Sequence, residues 1–422
     1  MYFFYFYPLG LDRRRTRPPV LSVLLIATML VAFVWTRYFP DKGPCHPYDL
    51  VFVPGYGSPW TVLTAMFLHG SWMHLLGNLL YLQVFGPPLE DRLGPVKFLV
   101  YFLILGAAGN LAHGLTSALD LLGQGGSGVM GASGAVAGLL GFSLIRFYDA
   151  RVQVAWWVLA PLGGQNRAGR SMVPLAAAVV FWLLLQIVYA LIAGETGANV
   201  SFGAHFGGFG LGLLLAVVMG ELDAGRTEAT GARAARYFRQ GQFHAAAGSW
   251  TEYLARAPQD LAARVELARA QKLCHQQGES LENFRGVYQV LLEAGRIPEA
   301  LEVFDEACRG IGGHWLAPRD LAKAAYYKER QLDFTGALNA YRMLYESYGN
   351  HPEGQRALVR VIVLYSGKVA DPVQADLWLR RAWEQMPPGS WRDYLEREFR
   401  LAEEPREAVA ATGPADRLPR ES

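Results

Sequence analysis

Ser133 lies in Gly131-Ala132-Ser133-Gly134-Ala135-Val136-Ala137-Gly138, at the start of a long apolar run. His205 opens a second such run, in Ser201-Phe202-Gly203-Ala204-His205-Phe206-Gly207-Gly208, and His74 and Asn78 open a third. Taken singly, Ser133 reads as a helix-packing hydroxyl and His205 as a packing or cavity histidine. Together they suggest chemistry. Serine is a weak nucleophile at its free pKa and needs an activating neighbour, and histidine changes charge near neutral pH. His74 and Asn78 are four residues apart, so on a helix they share one face about a turn from each other. Both can donate hydrogen bonds, which makes them candidates, with the Ser133 backbone amide, for an oxyanion hole. The chemistry to expect is peptide-bond hydrolysis, with Ser133 as nucleophile and His205 as base.

Glycines supply a means of bringing the two together. Gly208 and Gly212 form a small-residue face one turn past His205, and Gly131, Gly134 and Gly138 flank Ser133. Faces of that kind let two helices approach closely. No Asp or Glu lies inside the apolar runs, so the expected unit is a Ser-His dyad; Glu195 in a loop is the one acid that could in principle join it. A zinc site built on His69, His74, His113 and His205 is the weaker reading, because no His-Glu-x-x-His pattern exists and no Cys or acid stands at ligand spacing. Neither a metal nor a cofactor is expected. Gly131-Ala132-Ser133-Gly134-Ala135 also lacks the last Gly of a soluble nucleophile elbow, which excludes an α/β-hydrolase.

The elements that must hold these residues are membrane spans. Of the 422 residues 52% are hydrophobic and only 18% charged, too apolar for an ordinary soluble protein. The apolar runs end near Gly220; charged residues and Ala dominate beyond it. Six spans are expected: Val20 to Phe39, Ser71 to Phe85, Val96 to Leu115, Gly131 to Phe147, Met172 to Ala193 and Phe202 to Met219. The first follows Arg13-Arg14-Arg15-Thr16-Arg17 and is too long, with no clean cleavage site, for a removed signal peptide. That basic cluster, Arg92 with Lys97, the arginines at 146, 151, 167 and 170, and Arg226 all fall on one side of this threading. Lys42 is the only basic residue in the opposite loops. The positive-inside rule then puts both termini in the cytoplasm of a cell-membrane protein, and Ser71, Ser133 and Phe202 near the external surface. The candidate residues arrive at one depth.

Beyond Glu221 the pattern becomes paired helices. Gly241-Gln242-Phe243, Ala246-Ala247, Trp250, Tyr253 and Pro258 resemble a tetratricopeptide pair, echoed from Gly295, from Leu332 and, more weakly, from Ala375 to Ala382. The interval from the second to the third is near the ~34 residues expected, whereas the first is much longer. The fold class is therefore all-α: a six-helix transmembrane bundle followed by a cytoplasmic α-solenoid of tetratricopeptide type. The domains are a basic N-terminus over 1–18, the membrane domain over 19–222, the helical domain over 223–402 and a disordered tail over 403–422. Such repeats offer a groove for a cytoplasmic protein or peptide partner. A net charge of +2 argues for no nucleic acid. Cys45, Cys274 and Cys308 form neither a disulfide framework nor a zinc site.

The first 220 residues resemble the rhomboid intramembrane serine proteases. The resemblance rests on His69-Gly70-Ser71-Trp72-Met73-His74-Leu75-Leu76-Gly77-Asn78, on Gly131-Ala132-Ser133-Gly134 and on Ala204-His205-Phe206-Gly207-Gly208, in that order on those spans. Glu90-Asp91-Arg92-Leu93-Gly94 is typical of bacterial members. The resemblance implies Ser133 as nucleophile, His205 as base, and His74 and Asn78 as oxyanion donors. It implies cleavage, without metal or cofactor, of single- or multi-span membrane proteins in or near their transmembrane segments. It departs at Trp60-Thr61, where many members carry Trp-Arg, a change that affects loop anchoring rather than chemistry.

Three other functions fit the sequence less well. An inactive rhomboid-like protein that binds membrane clients usually lacks the Ser or the His, and both are present. A transporter would carry polar groups along the depth of several spans, whereas these gather at one end. A solenoid with a mere anchor would need only one span.

Overall fold

The computed structural model describes all residues except 1–2, 14, 43–45, 120–127, 160–166, 197–200, 310–314 and 401–422. Most of the Gly-rich turn before Ser133 and the expected disordered tail lie outside the described residues. The chain divides into two compact units, Met1–Ala229 and Thr230–Ser422.

The first unit runs β1 (Phe3–Leu11), α1 (Val20–Tyr38), α2 (Thr61–Thr64), α3 (Trp72–Leu93), α4 (Pro95–Ala118), α5 (Ser133–Arg146), β2 (Arg151–Leu159), β3 (Arg167–Pro174), α6 (Leu175–Thr196), α7 (Phe202–Val218) and α8 (Glu221–Arg239), which crosses the division. Among the described residues α1 and α4 are long and apolar enough to cross a membrane. A third crossing exists if α7 and α8, bent by 70° at their junction, count as one. α5 and the Leu175–Leu191 part of α6 are apolar but shorter. With 14 residues, α5 is about 21 Å long, less than the ~30 Å of hydrocarbon it would have to span. For α5, length separates the helix from the full span that the hydropathy suggests.

Their inner faces share one core. Met29 and Phe33 of α1, Leu75 and Leu82 of α3, Phe98, Phe102 and Leu105 of α4, Leu139 and Leu140 of α5 and Ala216 of α7 are buried in it. The outer faces stay apolar: Val31, Ile104, Val180, Leu184, Leu191 and Val218 are all exposed. Apolar surface on this scale marks contact with something other than water, here lipid.

The chain is mostly helical, as an all-α fold requires, but it also contains an antiparallel sheet in the order β1-β2-β3. β1 pairs with β2 from Phe3↔Leu159 to Leu11↔Val152, with an irregularity between Pro8 and Gly10. β2 pairs with β3 from Arg151↔Pro174 to Val158↔Arg167. The stretch before the basic cluster and part of the arginine-bearing connection between α5 and α6 are therefore strands, and β3 takes in Met172, the expected start of the fifth span. Val152 and Val154 are buried, and the Tyr7 and Trp157 rings stack at 5.4 Å.

The start of α1 has no side-chain cap of its own. Its free amides are met from α3 instead. The Glu90 carboxylate accepts from Leu21 N, Ser22 N and Ser22 Oγ, each at 2.8 Å. Asp91 accepts from Thr16 N, Thr16 Oγ1 and Arg17 N at 2.7–3.0 Å. The opening amides of a helix have no intrahelical partner, so a buried carboxylate satisfies them at the charge-favoured end. At the far side of Asp91, Arg92 pairs with Glu228 (2.6 Å), and Arg146 pairs with Glu221 (3.0 Å) and Glu228 (2.7 Å).

The second unit is helical throughout its described residues: α9 (Phe243–Arg256), α10 (Leu261–Leu273), α11 (Gln277–Glu293), α12 (Ile297–Cys308), α13 (Pro318–Arg330), α14 (Phe334–Tyr348), α15 (Pro352–Ser366), α16 (Pro372–Gln385) and α17 (Ser390–Arg400). From α9 to α16 each packs chiefly on its neighbours in the chain, whereas α17 folds back on α15. One turn recurs. Gly241, His275, Gly295 and Leu332 adopt left-handed φ values of 74°, 64°, 72° and 64°. The next residue in each case returns its N–H five residues back, as in Gln242 to Tyr237 and Asp333 to Lys328. This is the Schellman closure of a helix, which favours glycine. The long first interval in the sequence thus conceals the α10–α11 pair, whose turn uses His275 in place of glycine.

Two predictions follow from these closures. Glu90→Ala leaves three donors at the start of α1 without their acceptor and should lower stability by about 2–4 kcal/mol, read as a lower melting temperature in detergent. Leu332 is 73% exposed, so Leu332→Gly relieves left-handed strain without losing a core contact. It should stabilise the second unit by about 0.5–1 kcal/mol, measured by denaturant titration of the full chain.

Candidate active site

Ser133 is the first residue of α5 and half-buried. Helix geometry leaves the first amides of α5 without intrahelical partners, so they face the same end as the hydroxyl. Gly131, two residues earlier, has φ +122° and donates its N–H to Ala65 O at 2.8 Å. Only glycine fits there. A Cβ at Gly131 would lie 2.7 Å from His74 Cε1 and Nε2 and 3.6 Å from Asn78 Nδ2. Both α3 side chains thus reach the backbone that leads into Ser133.

His74 is held by local folding. Ser71 caps α3, its Oγ accepting from His74 N at 3.2 Å. Asn78 follows one turn later, is only 6% exposed, and its Nδ2 has no partner among the described residues. A buried amide donor left free is costly, which makes this one available for an incoming oxygen. His69 is buried, its ring 5.2 Å from that of His74. Thr61 is buried and bonds the Ser58 carbonyl through its own Oγ1 at 2.7 Å, while Trp60 is exposed.

His205 lies on the first turn of α7, which Ser201 caps by accepting from Ala204 N at 3.2 Å. The same Ser201 hydroxyl is 2.8 Å from His113 Nδ1 on α4, so α4 fixes where α7 begins. α7 then lies directly against α5. A Cβ at Gly208 would collide with the Gly134 carbonyl oxygen, and one at Gly212 with that of Gly138. At the upper end of this contact, a Cβ at Gly134 would stand 3.2 Å from Gly109 Cα and 3.7 Å from Ala204 Cβ. Ser133 precedes Gly134 and His205 follows Ala204, so the two side chains emerge at the same end of one backbone-to-backbone contact.

One neighbour was not singled out in the sequence. Gln186 of α6 places Oε1 2.8 Å from His205 Nδ1. Trp182, one turn earlier on the same helix, sets its ring 6.3 Å from that of His205. The signal was available: Gln186 is the lone strongly polar side chain between Leu175 and Ala193, and polar residues within spans are rare and costly. The side chain of Glu195 lies outside the described residues. The four histidines weighed as zinc ligands do not converge: among the described residues no cluster of three metal-ligating groups occurs.

The glycine contact makes a direct prediction. Gly208→Ala overpacks the α5–α7 seam and should cost about 1–3 kcal/mol. Gly210→Ala on the same helix, where a Cβ meets nothing within 4 Å, should melt with the wild type in the same detergent assay.

Residues 56–222 match the rhomboid domain. The chain is 31% identical over 163 residues to RHOMBOID-like protein 5 of Arabidopsis thaliana, covering 39% of this chain and 45% of that protein. It is 29% identical over 198 residues to Rhomboid-like protease 3 of Toxoplasma gondii, covering 46% of this chain and 66% of that protein. The chain thus spans less than two thirds of each of these relatives. The match over residues 56–222 and these likenesses support the rhomboid family for the chain.

Proposed function

We propose that this chain is an intramembrane serine endopeptidase that cuts membrane proteins in or near their transmembrane segments. The observation that carries the reading is the backbone contact of Gly134 with Gly208 and Ala204, which supports a Ser133–His205 pair at that end, with His74 and Asn78 close to Gly131. In this reading His205 takes the Ser133 proton as the hydroxyl oxygen attacks the scissile carbonyl, then gives it to the leaving amine. The ester left on Ser133 is hydrolysed by a water activated in the same way. The developing oxyanion is met by the Ser133 amide, His74 and Asn78, donors fixed before the charge appears. The shortness of α5 suits this chemistry, since it sets the nucleophile at a helix end below the surface, where water and a partly unwound substrate can both reach it.

The proposal extends to a bacterial-type member in the cell membrane with both termini cytoplasmic, supported by the side on which the arginines gather. In the second unit, sequential helix packing and the recurring left-handed turn support an α-solenoid of tetratricopeptide type that takes a protein or peptide partner.

The test is cleavage of a single-span reporter protein by the full chain in liposomes. Ser133→Ala and His205→Ala should abolish cleavage, and His74→Ala should lower kcat by about 10- to 1000-fold. Cleavage that survives Ser133→Ala would remove the assignment. A folded wild type that binds the reporter and never cuts it would favour a client-binding protein instead.

A further inference from the structure

Resting on that reading, we infer that Gln186 is a positioning residue that sets the tautomer and orientation of His205. Its amide oxygen stands 2.8 Å from His205 Nδ1. A carbonyl oxygen can only accept, so Nδ1 carries the proton, and a neutral imidazole has just one. Nε2 is then left with the lone pair, the state in which it can take a proton from a hydroxyl. Without this acceptor both tautomers are populated and the ring can turn. Trp182 on the same face of α6 and Phe202 on α7 flank the ring at 6.3 and 6.4 Å and limit that rotation, but neither distinguishes the two nitrogens.

The choice of an amide has a physical reason. A carboxylate at this position would stabilise the imidazolium formed during attack, yet it would stand uncompensated in an apolar helix whenever His205 is neutral. Val180, Leu184, Ile187 and Leu191 around it are exposed on the outer face of α6. Burying such a charge without a partner is among the costlier changes a span can carry. Glutamine gives the orientation and gives up the charge compensation.

The experiment measures kcat and KM against pH for the reconstituted full chain as wild type, Gln186→Met and Gln186→Glu, with Ser133→Ala as blank. Met keeps the length and removes the strong acceptor; Glu keeps the acceptor and adds charge. Gln186→Met should lower kcat by about 10- to 100-fold with KM within about twofold. Gln186→Glu should recover most of that kcat. It should also move the acid limb of the kcat profile up by about one pH unit, because a neighbouring carboxylate favours the protonated ring. A merely structural side chain would not move that limb. If the Met variant keeps wild-type kcat, or the acid limb of the Glu variant does not move, the positioning role is overturned. If the Met variant unfolds, the Glu profile alone decides. Wild-type cleavage that persists in Ser133→Ala would instead remove the serine mechanism beneath it.

Discussion

Everything in the first unit depends on two helix backbones touching. α5 and α7 meet at Gly134 with Gly208 and at Gly138 with Gly212, and α4 joins them where Gly109 reaches Gly134 and Ala204. No side chain separates them, so their spacing is set by covalent geometry and van der Waals radii rather than by rotamers. Ser133 and His205 project from the last residues of this seam. Two flexible side chains thereby inherit the rigidity of three packed main chains.

That seam was legible because glycine at four-residue spacing in an apolar run has few other uses. Gly208 and Gly212, read against Gly134 and Gly138, identified which helices would touch. His74 with Asn78 was legible for a similar reason, since spacing on a helix fixes their common face. Gln186 was not, because one polar residue carries no spacing; its meaning lies in a partner on another helix. The sheet was hidden differently. Arg151-Val152-Gln153-Val154 alternates as a strand should, but it stands among arginines in a segment whose charge placed it outside the bilayer, and its pairing partner Phe3–Leu11 is far away in sequence. The helical turns show the same limit. Gly241 and Gly295 announce a left-handed residue, whereas His275 and Leu332 adopt it with no sign in their type.

A second theme is help from a distance. Neither the start of α1 nor the start of α7 is satisfied by local residues alone. α1 takes its acceptor from Glu90 on α3, and Asp91 beside it holds the approach at Thr16 and Arg17; the serine that caps α7 is itself held by His113 on α4. Each places a polar bond at the end of an apolar helix, where an unpaired amide would be most costly. The Glu90-Asp91 motif therefore has a structural use unconnected with the reaction.

The strand pairing carries a topological consequence. β1 precedes α1, whereas β2 follows α5, and Arg151 N bonds the Asp12 carboxylate across 139 residues of chain. A sheet of hydrogen-bonded strands cannot have a bilayer between its members. Whatever path the chain takes between Leu11 and Arg151, it must return to the side from which it left, so it crosses an even number of times. The two helices in that interval that are long and apolar enough to cross, α1 and α4, satisfy the parity, and α3 with the shorter α5 keeps it even if both also cross. Parity of this kind owes nothing to the arginines. It is a constraint on threading written in backbone hydrogen bonds, and inserting or deleting a single crossing between the strands would pull the sheet apart.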